Sequence, residues 1–199
     1  MVGVTLVVGG LCGLVIGLAL FASRKGGLFA NKPVFFTLNF LVNFIRPIPF
    51  IIFLAAIRPV TIAVTGHSIG IESAIFPMSI MCAMATSRLV EQSLVGTDPG
   101  IIEAGRAMGA SRLHILIRIL IPEALGPLIL GYVFLIIGIL DMSAMAGAVG
   151  AGGLGNFAIQ WGHNKYNYLV VWVALGIIIV MVQIVQSFGN WLSRRVIHR

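Results

Sequence analysis

Residues 98–127, DPGIIEAGRAMGASRLHILIRILIPEALGP, form the longest connection between two apolar runs of the chain. Asp98 directly precedes a proline, which is typical of a helix N-cap, so we expect a short helix over residues 99–108. Gly109 can end that helix in a left-handed conformation, and Ser111 can cap a second helix. Because a flexible connector does not need these caps, the stretch predicts a rigid protrusion that docks a soluble partner.

The composition around this connection is typical of a membrane protein. Of the 199 residues, 59% are hydrophobic and 10% are charged, against about 25% charged in an average soluble domain. This balance excludes an ordinary soluble enzyme, a disordered tail and a secreted disulfide scaffold. Since a spanning helix needs about 20 apolar residues, we predict an all-α membrane protein with five transmembrane helices in a single transmembrane domain, residues 1–199. The predicted spans are about 2–23, 35–57, 71–94, 124–146 and 167–192, and the cytoplasmic loop is 97–122.

Basic residues predict the direction of the chain, because they gather in cytoplasmic loops. We assign the cations of alternate loops to the two sides of the membrane. Two lie on one side, Arg58 and Lys165. Nine lie on the other side: Arg24, Lys25, Lys32, Arg106, Arg112, Arg118, Arg194, Arg195 and Arg199. The excess predicts the N-terminus outside and the C-terminus inside. The first run has no basic stretch before it, so we do not expect a cleaved signal peptide.

The net charge of +7 does not indicate nucleic-acid binding. A nucleic-acid binder shows a basic stripe on a polar fold, whereas these cations follow the loops of a membrane protein. Cys12 and Cys82 lie in apolar runs without pairing or metal-ligand spacing. We expect both to be reduced, buried thiols.

One motif within the connection resembles a known family. Glu103-Ala104-Gly105, three residues, Gly109, nine residues, Ile119, one residue and Ile121-Pro122 resemble the EAA loop of ABC importer permeases. Gly105 and Ile121 replace the second alanine and the leucine of the family pattern. The resemblance implies a coupling helix that docks in a cleft of an ATP-hydrolysing subunit. The residues expected at this contact are Glu103, Ala104, Gly105, Arg106, Met108, Gly109, Ile119 and Pro122. The alternative is a helical hairpin that lies on lipid headgroups.

Two further segments extend the resemblance over nearly the whole chain. Residues 46–52, RPIPFII, and residues 143–155, SAMAGAVGAGGLG, resemble the methionine-importer (MetI-type) permease subfamily. The resemblance implies a type I ABC importer permease fold in a bacterial inner membrane and transport of methionine, D- or L-. It also implies a homodimer with two ATP-binding subunits and an extracytoplasmic substrate-binding protein.

The chain itself carries no recognisable ATP site. Its three lysines, Lys25, Lys32 and Lys165, lie outside any G-K-[ST] phosphate loop. We therefore expect a transport subunit without catalytic residues or a bound cofactor or metal, with ATP and Mg²⁺ on the partner ATPase. Two alternatives stay open, a permease for another amino acid or small solute and an ion-coupled secondary carrier.

Two motifs match enzyme patterns without their context. Residues 66–70, GHSIG, fit G-x-S-x-G. Asp98 or Asp141 and then His163 follow, which is the chain order of an α/β-hydrolase catalytic triad. Residues 150–155, GAGGLG, fit G-x-G-x-x-G. Neither follows a predicted strand, as those sites require. We expect neither activity.

The glycine-rich segment after the fourth span is a candidate gate. Five glycines lie within residues 147–155, where helical backbone is costly. Irregular backbone at membrane depth lines a cavity or packs in protein, and close helix approach at a dimer axis is the other interpretation. Met145 is flexible enough to plug a narrow passage, so we place the gate at Ser143, Met145 and Gly147. An ordinary packed methionine is the alternative.

Polar residues inside the apolar runs are the remaining candidates. Arg46 lies well inside the second span and should face the bundle or water with a partner. Asp141 either pairs with a cation or reaches the outer interface. Gln183, Gln186 and Asn190 share one face of the fifth span. That face should look at the bundle interior or at a second copy of the chain.

Overall fold

All regular secondary structure is helical in the part of the chain that the structure, a computed structural model, describes. That part is residues 1–197, and it contains no strand. Arg199, one of the predicted tail cations, lies outside it. The all-α prediction is confirmed, whereas the directions of the two termini stay a prediction.

Four helices within residues 1–197 are long and apolar enough to cross a membrane. They correspond to the first, third, fourth and fifth predicted spans. Their bounds are α1 Val2–Ser23, α5 Ile71–Val95, α9 Leu125–Ala146 and α11 Tyr168–Ile197. Shorter helices connect them, namely α2 Lys32–Ile45, α3 Phe50–Ala56, α4 Arg58–Thr65, α6 Pro99–Ala107, α7 Arg112–His114, α8 Ile121–Glu123 and α10 Gly153–Asn156.

The second apolar run is not one straight helix. It forms α2 and α3, which are bent by 104° at the break between them. Pro47 and Pro49 lie in that break, and proline removes a backbone donor and clashes with the preceding turn. The chain therefore has five spans only where this bent pair counts as one of them.

Helices α1 and α5 pack backbone to backbone along a stripe of three glycines on α1. A Cβ atom added at Gly9 would lie 2.7 Å from the Cβ of Cys82. One added at Gly13 would lie 2.6 Å from the carbonyl oxygen of Ala83. Gly17 meets α5 in the same way at Ser87 and Val90. Small residues four apart allow this approach in lipid, where association depends on van der Waals contact.

Two clusters of buried apolar side chains lie at opposite ends of α5. The hairpin-end cluster consists of Phe21, Leu28, Val90, Leu94, Ile115, Leu116, Leu120, Ala124 and Leu128. The cavity-end cluster consists of Phe50, Ala74, Met78, Cys82, Ile139, Ala146 and Ala151. Helix α9 packs on α5, and α11 packs on α9. Cys82 is buried as expected, but Cys12 is exposed, because it lies on α1 away from the glycine stripe.

The glycine stripe predicts a position-dependent effect of a valine on α1. Gly13→Val should lower the thermal unfolding midpoint of the purified protein by roughly 5 °C or more, because overpacking costs about 1–3 kcal/mol. Gly3→Val is the matched control, since an added Cβ there meets nothing within 4 Å. Equal midpoints for the two variants, measured by thermal scanning in detergent, would contradict this packing.

Candidate functional site

The connection between α5 and α9 folds as a capped helical hairpin. We call residues 98–122 the hairpin. The Asp98 carboxylate accepts a hydrogen bond from the backbone N–H of Gly100 at 2.8 Å, and the Ser111 hydroxyl oxygen accepts one from His114 at 3.3 Å. Gly109 adopts a φ of +75° between the two helices, a conformation that favours glycine. Both predicted caps and the predicted turn are present.

The inner side of the hairpin is fixed to the transmembrane bundle. After α7, the backbone continues as a wider π-helical turn over Ile115–Leu120. Ile115 and Leu120 are buried in the hairpin-end cluster with residues of α1 and α5. Gly105 is buried against this turn, since a Cβ added there would lie 3.1 Å from Cγ1 of Ile115. The backbone N–H of Ala110 donates to the Gly105 carbonyl oxygen at 3.0 Å.

The expected contact residues therefore divide into two groups. Gly105 is buried and Ile119 is half-buried, so both build the hairpin from within. Six of them are exposed: Glu103, Ala104, Arg106, Met108, Gly109 and Pro122. Gly105 was expected at the contact, but the close approach of α6 to Ile115 places it inside.

Three apolar side chains of the hairpin are exposed as well. Met108 is 76% exposed, Leu113 57% and Ile117 48%. Our sequence analysis did not single out Leu113 or Ile117, although their i, i+4 spacing on a capped helix was a readable signal. Together with Glu103 and Arg106, these three residues form what we call the docking face. Exposed apolar groups rimmed by charges are typical of a protein contact.

The glycine-rich segment folds back onto the end of α9. Its backbone leaves helical geometry at Val149 and Gly150, where the glycine φ is +98°. Gly147 is buried, and a Cβ added there would lie 2.6 Å from the carbonyl oxygen of Gly152. Irregular backbone was expected here, and the structure shows it between the buried residues Gly147 and Ala151, with Val149 itself exposed.

The three candidate gate residues lie at the junction of α9 and this segment. Met145 is half-buried and packs against the cavity-end cluster. Ser143 is half-buried as well, and its carbonyl oxygen accepts a hydrogen bond from the N–H of Gly147. These contacts suit both a plug and an ordinary packed methionine, so the gate stays a proposal.

The predicted polar residues inside the apolar runs are mostly exposed. Arg46 lies at the break after α2, and it forms no ion pair among residues 1–197. Its side chain is exposed, so its partner stays a prediction. Asp141 is also exposed and forms no ion pair in this part of the chain, so both interpretations of its role stay predictions. Gln183 is exposed and Gln186 half-buried, so Gln183 does not face the interior of this chain.

A partly buried polar cluster that our sequence analysis missed joins α2 to α5. The guanidinium of Arg88 donates to the carboxylate of Glu91 and to the side-chain oxygens of Asn39 and Asn43. Arg88 and Glu91 compensate each other's charge, as charged groups within a membrane bundle require. The readable signal was the pair of asparagines four residues apart on an apolar helix. The cluster holds α2 against α5 just before the bend.

The enzyme-like motifs do not assemble into sites. Asp98 and the GHSIG segment, residues 66–70, flank opposite ends of the 25-residue helix α5, which are about 37 Å apart at 1.5 Å per residue. Among residues 1–197, no group of three His, Cys, Asp or Glu side chains could hold a metal ion.

Comparisons with known proteins agree with this architecture. The sequence profile of a family described as "Binding-protein-dependent transport system inner membrane component" matches residues 9–198. The probable D-methionine transport system permease protein MetI of Vibrio cholerae is 39% identical over 199 residues, covering 100% of this chain and 88% of that protein. The methionine import system permease protein MetP of Bacillus subtilis is 37% identical, covering 87% of this chain and 78% of that protein.

Solved structures are similar as well. A structure of inward-facing conformations of the MetNI methionine ABC transporter, in its native crystal form, superposes with a TM-score of 0.92 at 38% identity. The match covers 98% of this chain and 92% of that chain. An amino acid ABC transporter structure with histidines has a TM-score of 0.81 at 20% identity, which supports the fold alone.

Proposed function

Because the chain belongs to the family of binding-protein-dependent transport system inner membrane components, we propose that it is the permease subunit of an ATP-driven methionine importer. Two relatives with methionine-transport names support the substrate, since they match over most of the chain. The protein is a multi-pass component of the bacterial inner membrane. It carries out no covalent chemistry, and a separate subunit hydrolyses ATP.

The observation that carries this proposal is the hairpin, which is exposed on one side and fixed to the bundle on the other. Its docking face offers apolar side chains and Glu103 to a soluble partner. Its inner residues, Ile115 and Leu120, are buried with the ends of α1 and α5. A partner that displaces the hairpin therefore displaces these helices too.

The mechanism is alternating access. Two copies of this chain form the pathway, and two ATPase subunits dock on the two hairpins from the cytoplasm. ATP and Mg²⁺ bind to those subunits and draw them together, so the hairpins approach each other and the bundle opens outward. Hydrolysis resets the inward-facing state. A ligand shifts such an equilibrium only through its different affinity for the two states.

The other partners follow from the same arrangement. An extracytoplasmic substrate-binding protein delivers the amino acid at the end opposite the hairpin. The exposed polar face of α11, with Gln183 and Asn190, is available to the second copy. In the inward-facing state, Met145 and the folded glycine-rich segment close the path from the outside. This gate is supported by the contact of Met145 with the cavity-end cluster.

The proposed function is tested by reconstituting the permease and its ATPase in liposomes with the binding protein. Uptake of labelled methionine should require ATP. Glu103→Ala should weaken binding of the ATPase by roughly ten-fold and lower uptake in proportion, because a contact residue at the docking face is lost.

Glu72→Ala is the control for binding of the ATPase, since Glu72 is an exposed carboxylate at the other end of α5. Methionine uptake that an ion gradient drives without the ATPase would contradict the proposed function. Unchanged ATPase affinity of the Glu103 variant would contradict the docking face.

The gate is tested by truncating the side chain of Met145, which is proposed to close the pathway. Met145→Ala should raise ATP hydrolysis by the assembled transporter in the absence of methionine by about five-fold, because a loss of about 1 kcal/mol of closed-state contacts shifts the equilibrium by that factor. Met81→Ala removes the same side chain from the other wall of the cavity-end cluster. Equal hydrolysis by the two variants would show that Met145 is an ordinary packing residue.

A further inference from the structure

A cavity of about 290 Å³ opens at the end of α5 that is opposite the hairpin. Its walls come from α3, α4, the loop before α5, the first turn of α5 and the glycine-rich segment. Small-molecule pockets usually measure about 300–1,000 Å³. The size thus suits a ligand no larger than a single amino acid.

One wall of the cavity is polar, and its single charge is positive. Arg58 is exposed there, beside the hydroxyl groups of Thr61, Ser68 and Ser73. No Asp or Glu is among the described residues that line the cavity. A guanidinium can bind a carboxylate through two parallel hydrogen bonds, so the charge of this wall suits an anionic group.

Two of these hydroxyl groups already donate a hydrogen bond within the protein. The Ser73 hydroxyl donates to the Gly70 carbonyl oxygen at 2.8 Å, and the Thr61 hydroxyl donates to the Ile57 carbonyl oxygen at 3.2 Å. Thr61 is 3% exposed and Ser73 8%, so few waters reach them. Each oxygen can still accept a hydrogen bond, which suits a ligand that also carries an ammonium group.

The rest of the cavity lining is apolar. Ile51, Leu54 and Val149 lie there, and they offer an aliphatic surface to an unbranched side chain. Ala74 and Ala151 line the cavity and also belong to the cavity-end cluster on which Met145 packs. The cavity therefore adjoins the proposed gate through these two alanines.

We infer that this cavity is a binding site in the permease itself for a small amino acid with an apolar side chain, and that Arg58 holds its carboxylate. The inference rests on the proposed function and adds a site to it. Substrate released at the outer end pauses here, with its side chain against Ile51 and Leu54, before the gate opens. The permease thereby contributes to selection among amino acids.

The inference is tested by equilibrium binding of labelled methionine to the permease–ATPase complex in lipid nanodiscs, without nucleotide or binding protein. Arg58→Gln should weaken binding by at least about ten-fold, the effect of losing a charge-assisted hydrogen bond. Arg58→Lys should restore part of the affinity, because lysine keeps the charge without the bidentate geometry. Lys165→Gln is the control, since Lys165 is another exposed cation that does not line the cavity.

Competition by two methionine fragments separates the groups recognised. Affinity for 3-(methylthio)propionate should fall in the Arg58→Gln complex, whereas affinity for 3-(methylthio)propylamine, which has no carboxylate, should not. Leu54→Trp fills the cavity from the apolar wall and should abolish binding of both fragments. If the Arg58 variants fail to fold, binding of the fragments to the Leu54→Trp complex still tests the cavity site.

The outcomes keep this inference apart from the proposed function. Methionine affinity unchanged in folded Arg58→Gln and Leu54→Trp complexes would overturn the cavity site, while ATP-driven uptake by the wild type would still support the importer. Absence of ATP-driven methionine uptake by the wild type would instead overturn the proposed function.

Discussion

The close approach of α1 to α5 is the constraint on which the other parts of this structure depend. Lipid tails are as apolar as leucine, so two helices in a membrane gain little by hiding apolar side chains from their surroundings. They gain by van der Waals contact, and Gly9, Gly13 and Gly17 let the two backbones meet. This contact with α1 thereby holds α5 rigidly in place.

The hairpin is attached to one end of α5, and the proposed gate adjoins the other end. At one end, Val90 and Leu94 are buried with Ile115 and Leu120 of the hairpin. At the other end, Ala74 lines the cavity and belongs to the cluster on which Met145 packs. A movement imposed at the docking face can therefore reach the proposed gate through one helix.

Local signals in the sequence were sufficient for the elements whose cause is local. Asp98, Gly109 and Ser111 determine the hairpin because caps and turns depend on neighbouring residues. The long apolar runs gave four spans close to their observed bounds. The bend at Pro47 and Pro49 was harder to predict, because residues 35–57 form an apolar run of the length of a single span.

Contacts between distant parts of the chain could not be predicted in this way. Arg88 binds Asn39 across 49 positions, and no local pattern states which helices become neighbours. The glycine stripe on α1 was visible in the sequence, but its partner α5 was not. The cavity combines α3, α4, α5 and the glycine-rich segment, so it exists only once the bend and the fold-back have formed.

The central claim is that the hairpin and α5 form one rigid unit, and hydrogen–deuterium exchange of the transporter in nanodiscs tests it most directly. The account predicts that backbone amides of residues 112–121 exchange slowly, in the same phase as those of residues 82–94 in α5. Fast exchange of residues 112–121 while α5 stays protected would contradict it, because a hairpin that opens by itself cannot move the bundle.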